Sequence, residues 1–317
     1  MKKQFSESTF AGGDEDNKVG YLSYVLITPA RNEAAFIELT IRSVVTQTQR
    51  PVRWVIVSDG STDGTDEIVK NYTARYEWIE LVRMPERSGR HFAAKVIAFD
   101  AGHERVKHLE YDIIGNLDAD ISFESDYISF LLDKFVENSR LGVAGTPFRE
   151  GSHQYDYRFT SSEHVSGACQ LFRRECFEDV GGYKPNRIGG VDLVAVLTAR
   201  MKGWQTRTFS EKICMHHRQM GKGMSKGWVA YFRGGRGDYL LGGHPTWEIF
   251  RSVYQMKNKP FVIGGSLRLV GFYWAMVTRA QKTVAEDLVK FRRREQMQRL
   301  WEFFRKWLLH GRPIGTG

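Results

Sequence analysis

The sequence predicts an α/β domain with a mostly parallel central sheet flanked by helices, followed by a basic, mainly helical C-terminal extension. Three observations lead there. Apolar, β-rich runs alternate with amphipathic segments over roughly the first 120 residues, the pattern of a parallel sheet covered on both faces. Acidic and turn-forming residues gather where those runs end, which is where ligands bind in such sheets. Charge is split along the chain: Arg200–Gly317 carries 23 Lys+Arg and 7 Asp+Glu, whereas residues 1–199 carry 23 and 30.

A chain of 317 residues, 42% apolar, has room for one large domain or a domain with an extension. The first segment, Met1–Gly20, is polar and rich in Gly, Asp and Ser. It has no apolar stretch and reads as a disordered tail, not a signal peptide. The three cysteines, Cys169, Cys176 and Cys214, lack metal-site spacing, and an odd number argues against a disulfide framework. A reducing, cytoplasmic setting is expected.

Taken in order, Tyr21–Thr28 is the first buried strand, stopped at Pro29. A helix follows from about Glu33, with Ile37, Ile41, Val44 and Val45 on one face. Arg53–Ser58 is the second strand. It runs into Asp59-Gly60-Ser61-Thr62-Asp63-Gly64-Thr65, a turn whose Asp63 or Thr65 can cap the helix Asp66–Tyr76. Ile79–Arg83 is the third strand, Ser88–Arg90 a loop and Phe92–Glu104 a helix. The fourth strand, Tyr111–Gly115, leads into Asn116-Leu117-Asp118-Ala119-Asp120-Ile121. A helix over Ser125–Asn138, a strand over Leu141–Pro147, an irregular piece over Phe148–Glu163 and a strand over Gly167–Phe172 come next. Val191–Lys202 is a helix with Asp192 near its start, where the helix dipole favours an acid. Gln205–Thr208 is a strand, and Cys214–His217 brings two histidines back.

Asp118 and Asp120 project to the same side of extended chain. Two acids so placed repel unless a cation lies between them, and a hard divalent ion, Mg²⁺ or Mn²⁺, suits all-oxygen ligands and substrate phosphates. Three loops would converge on one crevice: Pro29–Glu33, Asp59–Asp63 and Asp118–Asp120. No Gly-x-Gly-x-x-Gly follows the first strand and no Walker-type Gly-Lys-Ser/Thr occurs, which argues against a dinucleotide dehydrogenase or a P-loop NTPase.

Five motifs in order, Thr28-Pro29-Ala30-Arg31-Asn32-Glu33, Asp59-Gly60-Ser61-Thr62-Asp63, Asp118-Ala119-Asp120, Gly167-Ala168-Cys169, and Gly190-Val191-Asp192 followed by Gly203-Trp204, resemble those of family 2 glycosyltransferases of the GT-A fold. The resemblance covers about Tyr24 to Arg218. It implies a catalytic domain over 21–218 and an inverting enzyme that uses a nucleotide-sugar, UDP by family default, with a divalent metal. Pro29, Arg31 and Glu33 would line the ribose and base, and Asp59 would bond the base, with Asp63 in the same wall. Arg90 and Lys95 would lie near the nucleotide-sugar, and Asp118 would contact the ribose or sugar. Asp120 would bind the metal, joined by His217 or its neighbour His216. Asp192 would be the catalytic base, although Val191 stands where the family usually has Glu. Such an acid can take the proton of a weakly nucleophilic hydroxyl as the new bond forms. Arg218 and Lys222 flank a Gly- and Met-rich loop that could close over the diphosphate. A nucleotidyltransferase on a similar sheet would also use two acids and a metal, but its Gly-rich basic loop after the first strand is replaced by Pro-Ala-Arg-Asn-Glu. A non-catalytic nucleotide-sugar binder would not need Asp59, Asp120 and Asp192 together.

The extension, 219–317, holds the most apolar run, Phe261–Val277, interrupted by Arg268. A charge in mid-span costs about 2.5–3.5 kcal/mol on insertion, so a segment lying in or against a membrane interface is expected over a spanning helix, with packing on the catalytic domain the alternative. Phe291–Arg312 sets Leu300, Phe304, Trp307 and Leu308 at helical spacing among Arg and Lys, which suits an anionic membrane surface. No nucleic-acid module is recognisable. The expectation is a peripheral enzyme on the inner face of the cytoplasmic membrane. Its acceptor would be a glycan or polyprenyl-linked sugar, and surface-polysaccharide synthesis is the analogy the family supplies.

Overall fold

The computed structural model describes residues 22–86, 93–151, 153–154, 161–218, 227–256 and 261–310. The expected N-terminal tail, the Ser88–Arg90 loop and the loop bearing Lys222 lie outside them.

Strands β1 (Tyr24–Ala30), β2 (Arg53–Asp59), β3 (Ile79–Met84) and β4 (Ile113–Leu117) alternate with helices α1 (Ile37–Val45), α2 (Thr65–Thr73) and α3 (Ala93–Val106). After the short β5 (Ile121–Ser122) come α4 (Tyr127–Glu137), β6 (Leu141–Gly145), β7 (Phe148–Glu150) and β8 (His153–Gln154). The chain continues through β9 (Cys169–Arg173), α5 (Arg174–Val180), α6 (Val191–Met201), β10 (Gln205–Thr208) and β11 (Cys214–His216). The main sheet has seven strands in the order β10-β6-β9-β4-β1-β2-β3. β1 is parallel to β2 and β4, β2 to β3, and β6 to β10, while β9 runs antiparallel to β4 and β6.

Each central strand is apolar on both faces, as parallel strands between helices must be. Tyr24 and Leu26 of β1 pack into the layer that holds Ile37, Ile41, Val69, Leu131 and Phe135. Val25 and Ile27 point the other way, to Val96, Phe99, Phe177, Val196 and Ala199. The region read as irregular, Phe148–Glu163, contains β7 and β8. They join a second sheet, β5-β11-β7-β8, which no alternating apolar pattern announces because its strands are two or three residues long.

The extension forms α7 (Trp228–Leu240), α8 (Pro245–Gln255), α9 (Ile263–Val277) and α10 (Glu286–His310). The apolar run packs on one side: α9 lies against α7 and α8 and leaves Val270, Trp274 and Val277 exposed on the other. Arg268 explains why: it ion-pairs with Asp238 of α7 and, at 2.8 Å, with Glu248 of α8. A guanidinium in mid-run is held by protein carboxylates, which lipid could not supply. Arg251 and Arg292 reach the same Asp238, each at 2.9 Å. No helix of the described residues is long and apolar enough to cross a membrane. The α7–α9 crossing is backbone against backbone. A Cβ on Gly235 would lie 1.8 Å from the Arg268 carbonyl oxygen, and one on Gly271 2.0 Å from that of Phe232.

Side-chain bonds tie the extension to the α/β part. Arg200 of α6 grips Glu295 of α10 at 2.7 and 2.9 Å, a fork-to-carboxylate geometry that fixes orientation. Arg299 reaches Glu163 at 2.6 Å, and Asn186 donates to Thr283 at 3.1 Å. Gly235→Ala is expected to lower stability by about 1–3 kcal/mol through overpacking. Gly237→Ala, two residues on with nothing within 4 Å of the new methyl, is expected to be neutral or to stabilise by up to about 1 kcal/mol. Thermal unfolding of the two variants checks the contrast.

Candidate functional site

The carboxyl ends of β1, β2 and β4 open into one cavity of about 860 Å³, closed on its far side by the start of α6 and by β11. Pro29, Arg31 and Glu33 line it after β1, and Asp59 at the end of β2. Lys95 enters from α3, Asp118 and Asp120 follow β4, and Asp192 faces them from the first turn of α6.

The loops after β1 and β2 are laced together. Asn32, at φ 54°, accepts the Thr62 N–H on Oδ1 at 2.9 Å, and its own N–H donates to Ser61 Oγ at 3.1 Å. The left-handed region is one that Asn tolerates better than most residues. Glu33 N–H donates to Thr65 Oγ1 at 2.9 Å. Asp63 is part of this lacing and not of the cavity lining. Its Oδ2 accepts Ala34 N–H at 3.0 Å, and its Oδ1 takes Thr65 N–H at 3.1 Å and the Thr65 hydroxyl at 2.5 Å. These bonds hold its carboxyl below the usual range against the pull of burial. The family resemblance put Asp63 in the binding wall; its oxygens are instead spent on supporting that wall. Across it, Arg31 lies 3.7 Å from the buried Asp59 carboxylate.

The acidic centre is balanced by cations from distant segments. Lys95 Nζ meets Asp118 Oδ1 at 2.5 Å. Burial works to depress the Lys95 ammonium, but Asp118, then Asp192 and Asp120, outweigh it and raise it. Arg218 bonds Glu33 and approaches Asp120 at 3.6 Å. Burial, then repulsion from Asp120, pushes the Glu33 carboxyl up to about 7 despite Arg218. Burial and then Asp118 raise Asp120, opposed by His216, Arg218 and Lys95.

The two histidines separate clearly. β11 runs antiparallel to β5 with His216 opposite Ile121, so His216 lies 3.6 Å from Asp120. Its Nδ1 is buried with no hydrogen-bond partner. Asp118, Asp120 and His216 each present a ligand atom, all within 4.8 Å of one another. Two carboxylates and an imidazole whose Nε2 faces Asp120 fit a divalent cation. His217 turns away: its Nε2 lies 2.8 Å from Ser122 Oγ, and its ring stacks on Phe36. Arg90 and Lys222 fall outside the described residues. All three cysteines are free and buried. Burial drives the Cys169 thiol far above its ordinary range, so it is no nucleophile.

Several lining residues were not singled out from sequence. Tyr183 precedes α6, and Arg233 comes from α7, so the extension contributes to the cavity. Asn116 could have been found, because it shares the strand face of Asp118 two residues earlier. Nothing local marks Tyr183 or Arg233.

The family model for glycosyl transferase family 2 matches residues 25–168. Poly-beta-1,6-N-acetyl-D-glucosamine synthase of Staphylococcus epidermidis is 22% identical over 207 residues, 59% of this chain and 47% of the relative. A putative teichuronic acid biosynthesis glycosyltransferase, TuaG, of Bacillus subtilis is 31% identical over 114 residues, 36% of this chain and 42% of the relative. The chain thus spans about half the length of these curated relatives. Among solved structures, a mannosyltransferase of Pyrobaculum calidifontis in complex with GDP-Man and Mn2+ superposes with a TM-score of 0.54 at 18% identity, over 91% of this chain and 84% of that one. TarS 1–349 of S. aureus with UDP-GlcNAc gives 0.53 at 16%, over 80% and 72%. These likenesses establish the GT-A fold. His216→Ala is expected to weaken Mn²⁺ binding by at least about tenfold, with His217→Ala closer to wild type; calorimetric titration of the ion into each variant decides between them.

Proposed function

We propose, from the match of residues 25–168 to the glycosyl transferase family 2 model, an inverting transfer of a sugar from a nucleoside diphosphate to a hydroxyl of a glycan or lipid-linked acceptor, in cell-surface polysaccharide synthesis. One observation carries the reading: Asp59, the Asp118–Asp120–His216 cluster and Asp192 line the same cavity. The names of the relatives, a polysaccharide synthase and a teichuronic acid glycosyltransferase, support the product class. The complexes with UDP-GlcNAc and GDP-Man support the donor class.

Pro29, Arg31 and Glu33 border the base and ribose, and Asp59 accepts a hydrogen bond from the base. Asp118, oriented by Lys95, meets the ribose or the sugar. Asp118, Asp120 and His216 would hold a divalent cation, which when bound offsets charge on the diphosphate. Lys95 and Arg218 add fixed positive charge beside the same carboxylates, where a leaving diphosphate gains most from preorganised groups. Asp192 takes the proton of the acceptor hydroxyl as its oxygen bonds the anomeric carbon. The bond from that carbon to the diphosphate breaks, and the electron pair leaves with the nucleoside diphosphate. Attack from the face opposite the leaving group inverts the anomeric centre.

A membrane-surface setting is part of the proposal. Trp274 is 60% and Val277 75% exposed on α9, and Trp228, Phe261 and Val262 are also open. Trp301, Phe304, Leu308 and Leu309 are exposed on α10. Apolar groups within a strongly basic segment match an anionic lipid surface.

Asp192→Asn is expected to lower turnover by roughly 10²–10⁴-fold, the usual worth of a positioned base, while nucleotide-sugar binding stays near wild type. Asp120→Ala should instead abolish the metal dependence of that binding. Wild-type turnover in Asp192→Asn, or pyrophosphate as product in place of a nucleoside diphosphate, would overturn the assignment. In vesicle flotation, the protein should float with phosphatidylglycerol-containing vesicles and not with neutral ones. A Trp274→Ser/Val277→Ser double variant should remain in the soluble fraction.

A further inference from the structure

Asn116 is an anomaly at the floor of the cavity. It is the penultimate residue of β4, on the strand face of Ile114 and Asp118, and is only 3% exposed. Its cross-strand partner, the fully buried Gln170, is satisfied at both ends: Nε2 donates to the Val165 carbonyl at 3.0 Å, and Oε1 accepts the Tyr183 hydroxyl at 2.6 Å. Asn116 is satisfied at one end only. Its Nδ2 donates to the Gly167 carbonyl at 2.7 Å, while Oδ1 is buried with no partner among the described residues. The amide cannot be reversed to help, because Oδ1 would then face the Gly167 carbonyl, acceptor against acceptor. Buried polar atoms are nearly always bonded, so an orphan in a binding cavity calls for a ligand atom.

The chemistry of that atom is constrained. Oδ1 only accepts, so it has nothing to offer a phosphate, which has no proton to give. A neutral hydroxyl or an acylamino N–H suits it. Its location narrows the choice further. The residue whose carbonyl Asn116 holds also touches Asp192 through its own N–H: Gly167 N–H donates to Asp192 Oδ2 at 3.3 Å. The fit is close, since a Cβ on Gly167 would come within 3.0 Å of Asp192 Cβ and 3.2 Å of Oδ2. The group undergoing transfer must lie against Asp192, and ribose lies towards Asp59 at the other end of the donor.

We propose that Asn116 is a specificity-determining residue that binds the transferred sugar through Oδ1, accepting from one of its hydroxyl or acylamino groups, while its Nδ2 holds the carbonyl of Gly167, the residue whose N–H meets Asp192. The assignment rests on the nucleotide-sugar reading of the cavity and names the part of the donor that this side chain meets.

The test compares Asn116→Leu, similar in shape but unable to hydrogen-bond, with wild type in calorimetric titrations of UDP-GlcNAc and GDP-mannose with Mn²⁺. UDP and GDP serve as controls. For whichever donor binds wild type, Asn116→Leu should raise its Kd by about tenfold, the scale of one lost hydrogen bond. The Kd of the matching nucleoside diphosphate should not change. Deoxy analogues of that sugar add a second arm: one should bind wild type more weakly than the parent sugar yet bind Asn116→Leu as the parent does. Equal weakening of nucleotide and nucleotide-sugar would point to ribose or to the fold and would overturn the inference. So would an unchanged Kd for the nucleotide-sugar. If wild type binds neither nucleotides nor nucleotide-sugars, the functional reading falls and takes this role with it. Should Asn116→Leu fail to fold, Asn116→Ser is judged by the same contrast between sugar-bearing and sugar-free ligands.

Discussion

Acidic side chains crowded at the strand ends must be neutralised, and most of what surrounds the cavity follows from that requirement. Asp118 and Asp120 share a short turn after β4, with Glu33, Asp59 and Asp192 on the walls around them. Lys95 answers Asp118 from α3, Arg218 answers Glu33 and Asp120 from beyond β11, and Arg31 stands by Asp59. The negative charge that remains, and His216 Nε2 facing Asp120, make the centre receptive to a cation. With that negative excess, an anionic group could lie against these carboxylates only with a cation between them.

Rigid supports keep these charges in place. The loops after β1 and β2 are bonded to each other through Asn32, Ser61, Asp63 and Thr65, which removes the freedom that loop-borne ligands otherwise have. α6 brings Asp192 in at its N-terminal end and is anchored near its C-terminal end by the Arg200–Glu295 fork. The helical extension thus supports the catalytic part and lends Arg233 to the cavity. Its own cohesion depends on two glycines that let α7 and α9 touch, and on Asp238 gathering three arginines. A buried carboxylate surrounded by several guanidinium groups is a demanding arrangement, because losing the acid would leave uncompensated charge inside.

Legibility in the sequence followed the range of the interactions concerned. The alternation of strand and helix is written in local periodicity, and the first four strands lie close to their expected positions. Pro29, Arg31, Glu33, Asp59, Asp118 and Asp120 were legible because turn residues at strand ends mark a crevice before any contact is known. The second sheet was not, since β5, β7, β8 and β11 are too short to show a period. Asp63 looked like Asp59, and only its bonds to Thr65 and Ala34 distinguish a brace from a binding group. The partners of Arg268 were not legible either, because its carboxylates lie 20 and 30 residues away on other helices.

The sequence by itself determined the strand and helix succession, the acids at the ends of the strands, and the uneven charge along the chain. These depend on neighbours in sequence, whose side chains alternate along a strand or recur around a helix. Only the tertiary structure decided which histidine joins Asp118 and Asp120, because the register of β11 on β5 turns His216 towards them and His217 towards Ser122. It also decided that Asn116 keeps a free acceptor and that α9 is held within the protein. In each case the partner comes from another part of the chain, and a one-residue shift in register or one helix crossing reverses the outcome.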